Sequence, residues 1–258
     1  FYCYRTNGIL TADDFEKKAD GTPDENKPLV PVYKGQRIGN VKMVDQPTKM
    51  VDGKLVGDGV ITEDDLVPYG NNIPDVIYGI TNRFSYKNFE LSVLIQGQIG
   101  GDVMFLGQRS LDYGSPGVNQ FSHWVRCWKP DYQAVYGDRG DPTPYYLGVD
   151  MSWDGTTPNI YNRNSTYENN SDLRIYDTTY LRIKNITLSY TLPNDLLKKS
   201  FLKKAKVYVS LDNVATFDNY PGVSPETNSY GNSTTRAGVD YSTYPMSRKY
   251  TLGVNLVF

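Results

Sequence analysis

No stretch of about 18 consecutive apolar residues occurs in this sequence, so no helix built from it crosses a bilayer. Soft metal ligands are scarce: the chain has two cysteines, Cys3 and Cys127, and a single histidine, His123. That is too few for a zinc or iron–sulfur site built from this chain alone. The sequence leaves open whether the two cysteines pair. Neither sign of charge dominates, with Lys+Arg 27 against Asp+Glu 29 and no long run of either, which argues against a basic face for nucleic acid. Catalytic constellations are equally thin. His123 alone makes a Ser-His-Asp set implausible, there is no glycine-rich phosphate loop, and nothing in Asp64-Asp65 or in Asp138 with Asp141 sets two carboxyls across a cleft. The chain is not expected to be an enzyme.

What is present favours strands and turns. Tyrosine numbers 22 against 9 phenylalanines, Asn, Thr, Gly and Asp are plentiful, and alanine- or leucine-rich helical stretches are missing. A membrane strand needs only every second side chain to be apolar, so the missing apolar helix leaves a barrel open. The segment Tyr250-Thr-Leu-Gly-Val-Asn-Leu-Val-Phe258 has this pattern. Tyr250, Leu252, Val254, Leu256 and Phe258 share one face, while Thr251, Gly253, Asn255 and Val257 share the other. About nine residues tilted by roughly 40° suit an apolar band about 25 Å tall, with an aromatic at each border.

The same alternation recurs upstream. Phe89, Leu91, Val93 and Ile95 oppose Glu90, Ser92, Leu94 and Gln96. Ile186, Leu188 and Tyr190 oppose Asn185, Thr187 and Ser189, and Val207, Val209 and Leu211 oppose Tyr208, Ser210 and Asp212. Residues 77–86 form a weaker candidate with Tyr78, Ile80, Phe84 and Tyr86 on one face, and residues 1–5 resemble the end of one more strand. Connections alternate in length. Lys87-Asn88 is a tight turn and Pro193 to Lys206 a moderate one, whereas 6–76, 101–179 and 213–248 are long. Short turns on one side and long loops on the other are what a transmembrane barrel requires, and a soluble domain rarely tolerates loops of that length. The predicted fold class is therefore all-β: an antiparallel transmembrane barrel, of which about six strands lie here, with long extracellular loops. The chain opens Phe-Tyr-Cys-Tyr-Arg, with neither initiator Met nor signal segment, and reads as the C-terminal portion of a longer barrel domain.

Several phrases carry a family resemblance: Gly57-Asp-Gly-Val-Ile-Thr-Glu-Asp-Asp65, Tyr78-Gly-Ile-Thr-Asn-Arg-Phe-Ser-Tyr-Lys-Asn-Phe89, Gln96-Gly97, Tyr180-Leu-Arg-Ile-Lys-Asn-Ile-Thr-Leu-Ser-Tyr-Thr-Leu-Pro193 and Val207-Tyr-Val-Ser-Leu-Asp-Asn213. Pro221-Gly222, Pro225-Glu226, Gly238-Val-Asp240 and the final strand complete the set. In this order and spacing, residues 57–258 resemble the C-terminal part of SusC/RagA TonB-dependent outer-membrane transporters. The resemblance implies a barrel of about 22 strands with a plugged lumen. It also implies a plug and a TonB-binding segment lying outside this chain, a SusD-like lipoprotein lid, and import of oligosaccharides or oligopeptides across the cell outer membrane. Thr251, Gly253, Leu256 and Phe258 resemble the barrel-assembly signal of such proteins, in which an unpaired edge strand is offered to the insertion machinery.

Other residues stand under two readings each. Asp58 and Asp65, around Gly59, resemble the second half of a calcium loop, but Lys54 and Val56 occupy the earlier ligand positions, and an acidic turn is the competing reading. Trp124, Arg126, Trp128, Tyr132 and Tyr136, with Tyr145 and Tyr146 beyond, form the densest aromatic stretch. Such rings stack on sugars or hold peptide side chains, or else they pack a loop onto the barrel rim. Lys198, Lys199, Lys203, Lys204 and Lys206 lie in a predicted periplasmic turn, either as a solvated face or beside anionic headgroups. The rival to a barrel is a soluble or surface-attached carbohydrate-binding β-sandwich, whose apolar strand faces would be buried in a core.

Overall fold

The computed structural model describes residues 1–108, 112, 121–128, 145–146, 149–150, 153–159, 170–198, 201–231, 233 and 237–258. The chain divides into two compact units, one of Phe1–Tyr69 with Met104–Ile175 and one of Gly70–Val103 with Tyr176–Phe258.

The second unit is built on an antiparallel five-stranded sheet: β1 (Val76–Tyr86), β2 (Phe89–Ile99), β3 (Tyr180–Thr191), β4 (Lys204–Asp218) and β5 (Lys249–Val257), neighbouring in chain order. The register aligns the alternating residues into rows. Tyr86, Phe89, Tyr190, Val207 and Val254 form one row, and Phe84, Leu91, Leu188, Val209 and Leu252 the next. Asn82, Val93, Ile186, Leu211 and Tyr250 form a third. Side chains on successive residues leave a strand on opposite faces, so these rows share one face. That face is uncovered: Leu252 is 75% and Tyr250 73% exposed. A sandwich would bury it against a second sheet, and solvent-exposed apolar rows on this scale suit lipid contact.

Two irregularities set the phase. Lys184 has no counterpart on β2, because Leu94 faces Asn185 and Ile95 faces Ile183. This bulge shifts the side-chain period of β3 by one residue. Ile183 and Leu181 thereby continue the apolar face, while Arg182 and Tyr180 turn to the other. On β4 the register slips between Asp212 and Ala215, where Asn213 takes φ 54, a left-handed conformation that asparagine tolerates. The strands consequently extend further than simple alternation indicates. The long connection begins after Asp218, not at 213. The sixth expected strand, at residues 1–5, is the two-residue strand Tyr2–Cys3, which pairs with Val67–Pro68 in the first unit and not with the five-stranded sheet.

The first unit contains most of two of the three segments expected as long loops, 6–76 and 101–179, and it has a core of its own. Thr6–Ile9 pairs with the distant Val41–Met43, and short hairpins join Phe15–Lys17 to Pro23–Pro28 and Lys49–Val51 to Lys54–Val56. Tyr4, Met43 and Ile61 pack together, with Tyr33 and Leu66 against them. Asp172 joins distant parts of the unit: it accepts from Arg5 Nε at 2.9 Å, from the Thr6 backbone N–H at 3.2 Å and from the Thr6 hydroxyl at 2.6 Å. Both cysteines are buried, and they form no disulfide with each other. Burial, and then the nearby Asp172 carboxylate, push the Cys3 thiol up to about 11.

The tight turn at Asp154 ends this unit's aromatic segment and supplies a pH test. Burial pushes the Asp154 carboxyl up, but hydrogen bonds from the Thr157 hydroxyl and N–H and from the Thr156 N–H and hydroxyl outweigh it, leaving it at about 2. A depressed folded-state value contributes stability above the ordinary carboxyl range that is lost as the pH falls through the folded value. The stability gap between the wild type and Asp154→Asn should therefore be full above about pH 4 and close between about pH 4 and 2. Urea titrations of both proteins at several pH values check this; a gap independent of pH would refute it.

Candidate functional site

The face of the sheet opposite the apolar rows carries the polar chemistry. Ser85, Glu90, Ser189, Tyr208 and Gly253 form one row, and Arg83, Ser92, Thr187, Ser210 and Thr251 the next. Asn185 donates to Asp212 at 2.7 Å and to Ser210 at 2.8 Å, and Thr187 and Ser210 share a bond of 2.8 Å. Lys206 Nζ pairs with Glu90 at 2.9 Å. Glu90, Gln96, Asp212 and Asn255, expected on the lumen side, all fall on this face.

At one end of the polar face lies a cluster that alternation alone does not reveal. Arg182 is 2% exposed. Its Nε donates to the Thr216 hydroxyl at 2.8 Å, one terminal nitrogen to Ser224 at 3.3 Å, and the other to the Glu226 carboxylate. Glu226 also accepts from the Tyr180 hydroxyl, and from the Gln96 amide at 3.4 Å. The cluster fastens the connection between β4 and β5 to the wall. Farther along that connection Tyr220 donates to Asp240 at 2.6 Å, and Asp240 accepts from the N–H groups of Ser242 and Thr243. Burial, and then the Asp240 carboxylate that accepts its proton, push the Tyr220 phenol far above its ordinary range. The phrases around Arg182, Pro225-Glu226 and Gly238-Val-Asp240 thus meet in space.

The aromatic stretch separates into different environments. Trp124 is buried and its indole N–H donates to Asp112 at 2.5 Å, while Asp112 also pairs with the buried Arg174. That places Trp124 in packing. Arg126 is exposed on the same 3-10 turn, Ser122–Arg126. Trp128 is half-buried and lines an open cleft of about 810 Å³ with Tyr33, Gln36, Arg37, Ile38 and Glu25 among its walls. The Trp128 ring lies against Gly39, where an added Cβ would come within 2.2 Å of it. Tyr132 and Tyr136 lie outside the described residues. Of the aromatic residues singled out, Trp128 is therefore the one described at an open surface. The residues from 12 to 38 that complete the cleft carry no motif and are not singled out by the sequence.

In the acidic segment, Asp65 is 1% exposed and its two oxygens accept from the N–H groups of Gln46 and Thr62, both at 2.7 Å. It closes a capping box on the short turn Glu63–Asp65. Asp58 is exposed and accepts from the Val60 N–H at 3.0 Å, while the N–H groups of Asp58 and Gly59 donate to Asp45. These contacts make it a self-contained acidic turn, and no group of three or more metal-ligating side chains occurs among the described residues. On β5, Thr251 faces Ser210 and Leu256 faces Ala205. Gly253 faces Tyr208, whose ring occupies the place a Cβ would take, 2.2 Å from the nearest ring carbon. Phe258 stacks on Phe201, with ring centres 5.6 Å apart and planes at 6°.

No protein-family model matches the chain. Among curated proteins it is 32% identical over 209 residues to TonB-dependent receptor P3 of Formosa agariphila, a match covering 79% of this chain and 18% of that receptor. It is 24% identical over 222 residues to TonB-dependent receptor SusC of Bacteroides thetaiotaomicron, covering 84% of this chain and 19% of SusC. The chain thus spans about a fifth of the length of the relatives it matches. Among solved structures, the RagAB peptide transporter aligns over 99% of this chain and 22% of the matched chain, with a TM-score of 0.63 at 18% identity. At that identity the likeness concerns the fold, and it makes the five-stranded sheet a sector of a transmembrane β-barrel wall.

Proposed function

We propose, since this chain belongs to the SusC/RagA family of TonB-dependent receptors, that it forms the last wall sector of an outer-membrane barrel importing oligosaccharides or oligopeptides. The observation that carries this is the two-faced sheet. Five strands hold their apolar side chains in register on an uncovered face and their hydrogen-bonded polar side chains on the other. Lipid requires the first face and a hydrated lumen the second. The plug and the TonB-binding segment belong to the complete protein outside this chain, a SusD-like lipoprotein closes the outer side, and TonB pulling on the plug drives import. The segments 6–76 and 101–179, and the β4–β5 connection within 213–248, then face outward. Thr251, Gly253, Leu256 and Phe258 serve in barrel assembly.

Uptake of a fluorescent oligosaccharide mixture and a fluorescent oligopeptide mixture by cells carrying the complete receptor tests the proposal. Uptake of one mixture should require the receptor and cease when the proton-motive force is collapsed. A complete protein that stays in aqueous buffer without detergent would sink it.

Trp128 is the cargo contact proposed here, because an aromatic ring beside a cleft with convergent amide, guanidinium and carboxylate groups is the usual form of a small-ligand site. Trp128→Ala in the complete receptor should weaken cargo binding about tenfold, the effect of losing one aromatic anchor. Unchanged binding in this variant, measured by calorimetry with the transported mixture, would remove the cleft from the transport path.

A further inference from the structure

The turn between β3 and β4 carries exposed side chains of a particular kind. After Thr191 the Leu192 N–H bonds the Ala205 carbonyl at 2.9 Å, and a short helix, α1 (Asn194–Leu197), follows Pro193. Leu197 and Ala205 are buried, whereas Leu196 and Phe201 are 68% and 79% exposed. A phenylalanine that open to water is unfavourable by the transfer energy of its ring. Its one described ring partner, Phe258, is itself 64% exposed.

The position of this pair explains the exposure. Phe258 follows Tyr250, Leu252, Val254 and Leu256 on the parity of the apolar face, so Phe201 and Phe258 extend the lipid-facing rows past the row of Tyr86, Phe89 and Tyr190. They lie where the apolar band ends. Cations lie beside them. Lys198 is exposed and pairs with the exposed Asp195 at 2.6 Å, a pair of little strength in water. Lys203 is exposed, two residues from Phe201, and its N–H continues the ladder to the Val257 carbonyl at 2.7 Å. Lys204 and Lys206, by contrast, start the polar parity of β4, and Lys206 is taken by Glu90. The described lysines of the run are therefore divided: Lys204 and Lys206 take the polar parity of β4, while Lys198 and Lys203 lie three and two residues from Phe201 in the chain.

From this arrangement we infer that the β3–β4 turn is an anionic-phospholipid site, with Phe201 and Phe258 in the interfacial layer and Lys198 and Lys203 on the phosphate of a bilayer phospholipid. The occupant is bilayer lipid because the patch is continuous with the lipid-facing rows. The two lysines, extended past an apolar border, place cations at headgroup depth. The inference rests on the barrel reading above.

The test is native mass spectrometry of the complete receptor in nanodiscs of phosphatidylglycerol or of phosphatidylcholine. The wild type should retain phosphatidylglycerol in preference to phosphatidylcholine. Lys198→Gln and Lys203→Gln should each reduce that preference roughly fivefold, and the double variant about twenty-fivefold. Phe201→Ala, at a fully exposed position that does not threaten folding, should lower retention of both lipids alike. A wild type without headgroup preference, or a double variant that keeps it, overturns the site while leaving the barrel intact. A protein that enters no nanodisc and needs no detergent instead overturns the barrel reading on which the site depends.

Discussion

Arg182→Met is expected to release the β4–β5 connection from the wall. The substitution keeps an unbranched stem but removes the guanidinium, which leaves the Glu226 carboxylate without its cation and removes the donors to Thr216 and Ser224. Breaking a buried ion pair by removing one partner costs about 3–5 kcal/mol. Glu226 retains 29% of its side-chain exposure, so water recovers part of its solvation, and a loss of roughly 2–3 kcal/mol is the reasonable expectation. Two measurements check it on the complete receptor in detergent: thermal unfolding, and limited proteolysis mapped by mass spectrometry. New cleavage sites should appear between 219 and 248 before the wall itself is lost. Unchanged protection of that segment would show that the Tyr220–Asp240 contact alone holds it. Glu226→Gln should have a milder effect, because the amide oxygen still accepts from Arg182 while its NH2 donates to the Tyr180 hydroxyl.

The second large effect separates the two faces of the wall at adjacent residues. Ile186 lies on the apolar face in the row of Val93 and Leu211, four residues from the Tyr190 border row, which places it about 10 Å inside the apolar band. Thr187 points to the polar face and bonds Ser210 and Asn185. Ile186→Arg should cost about 2–4 kcal/mol, the penalty for a guanidinium near the bilayer midplane. Thr187→Arg should cost about 1 kcal/mol, the worth of the hydroxyl bonds it loses. Folding titrations into lipid vesicles, or the heat-modified mobility of the folded barrel, measure both. Equal penalties would mean that the faces are not lipid and lumen. The contrast is sharper than either value alone, since both variants introduce the same side chain on the same strand.

The strands that were legible in the sequence are those whose alternation is uninterrupted. Tyr250 to Phe258 and Phe89 to Ile95 appear in the structure with the faces expected of them. The other strands were legible only in part. The segment from Tyr180 to Ile183 is out of phase with Ile186 to Tyr190 because Lys184 is an added residue, and a period of two cannot be followed through a bulge. Beyond Leu211 the parity is kept, with Ala215 and Phe217 on the apolar face, but Asn213 takes a left-handed conformation and the ladder is interrupted there. Residues 1–5 show strand chemistry, but the choice of partner rests with Val67–Pro68, which no local pattern reports.

The candidate site divides in the same way. An aromatic concentration at 124–128 is visible in composition, but which ring is packed and which is open depends on Asp112, Arg174 and Gly39, all distant in sequence. Asp65 satisfies the spacing of a ligand, yet both its oxygens are taken by backbone N–H groups, one of them from Gln46. Spacing specifies which residue types are available; it carries no information on which donors are already satisfied.

The sequence by itself determined that strands carry this chain, that one face of them is apolar and bordered by aromatics, and that tight turns alternate with long connections. Those properties follow from the two-residue period of an extended backbone and from the need to match each face to its solvent, and both act locally. Only the tertiary structure decided where β3 changes phase and where the ladder of β4 is interrupted, that Arg182 meets Glu226 across 44 residues of chain, and that Phe201 lies on Phe258. Those outcomes depend on which distant groups satisfy one another once the backbone ladder is closed, and a bulge of one residue suffices to change the partners.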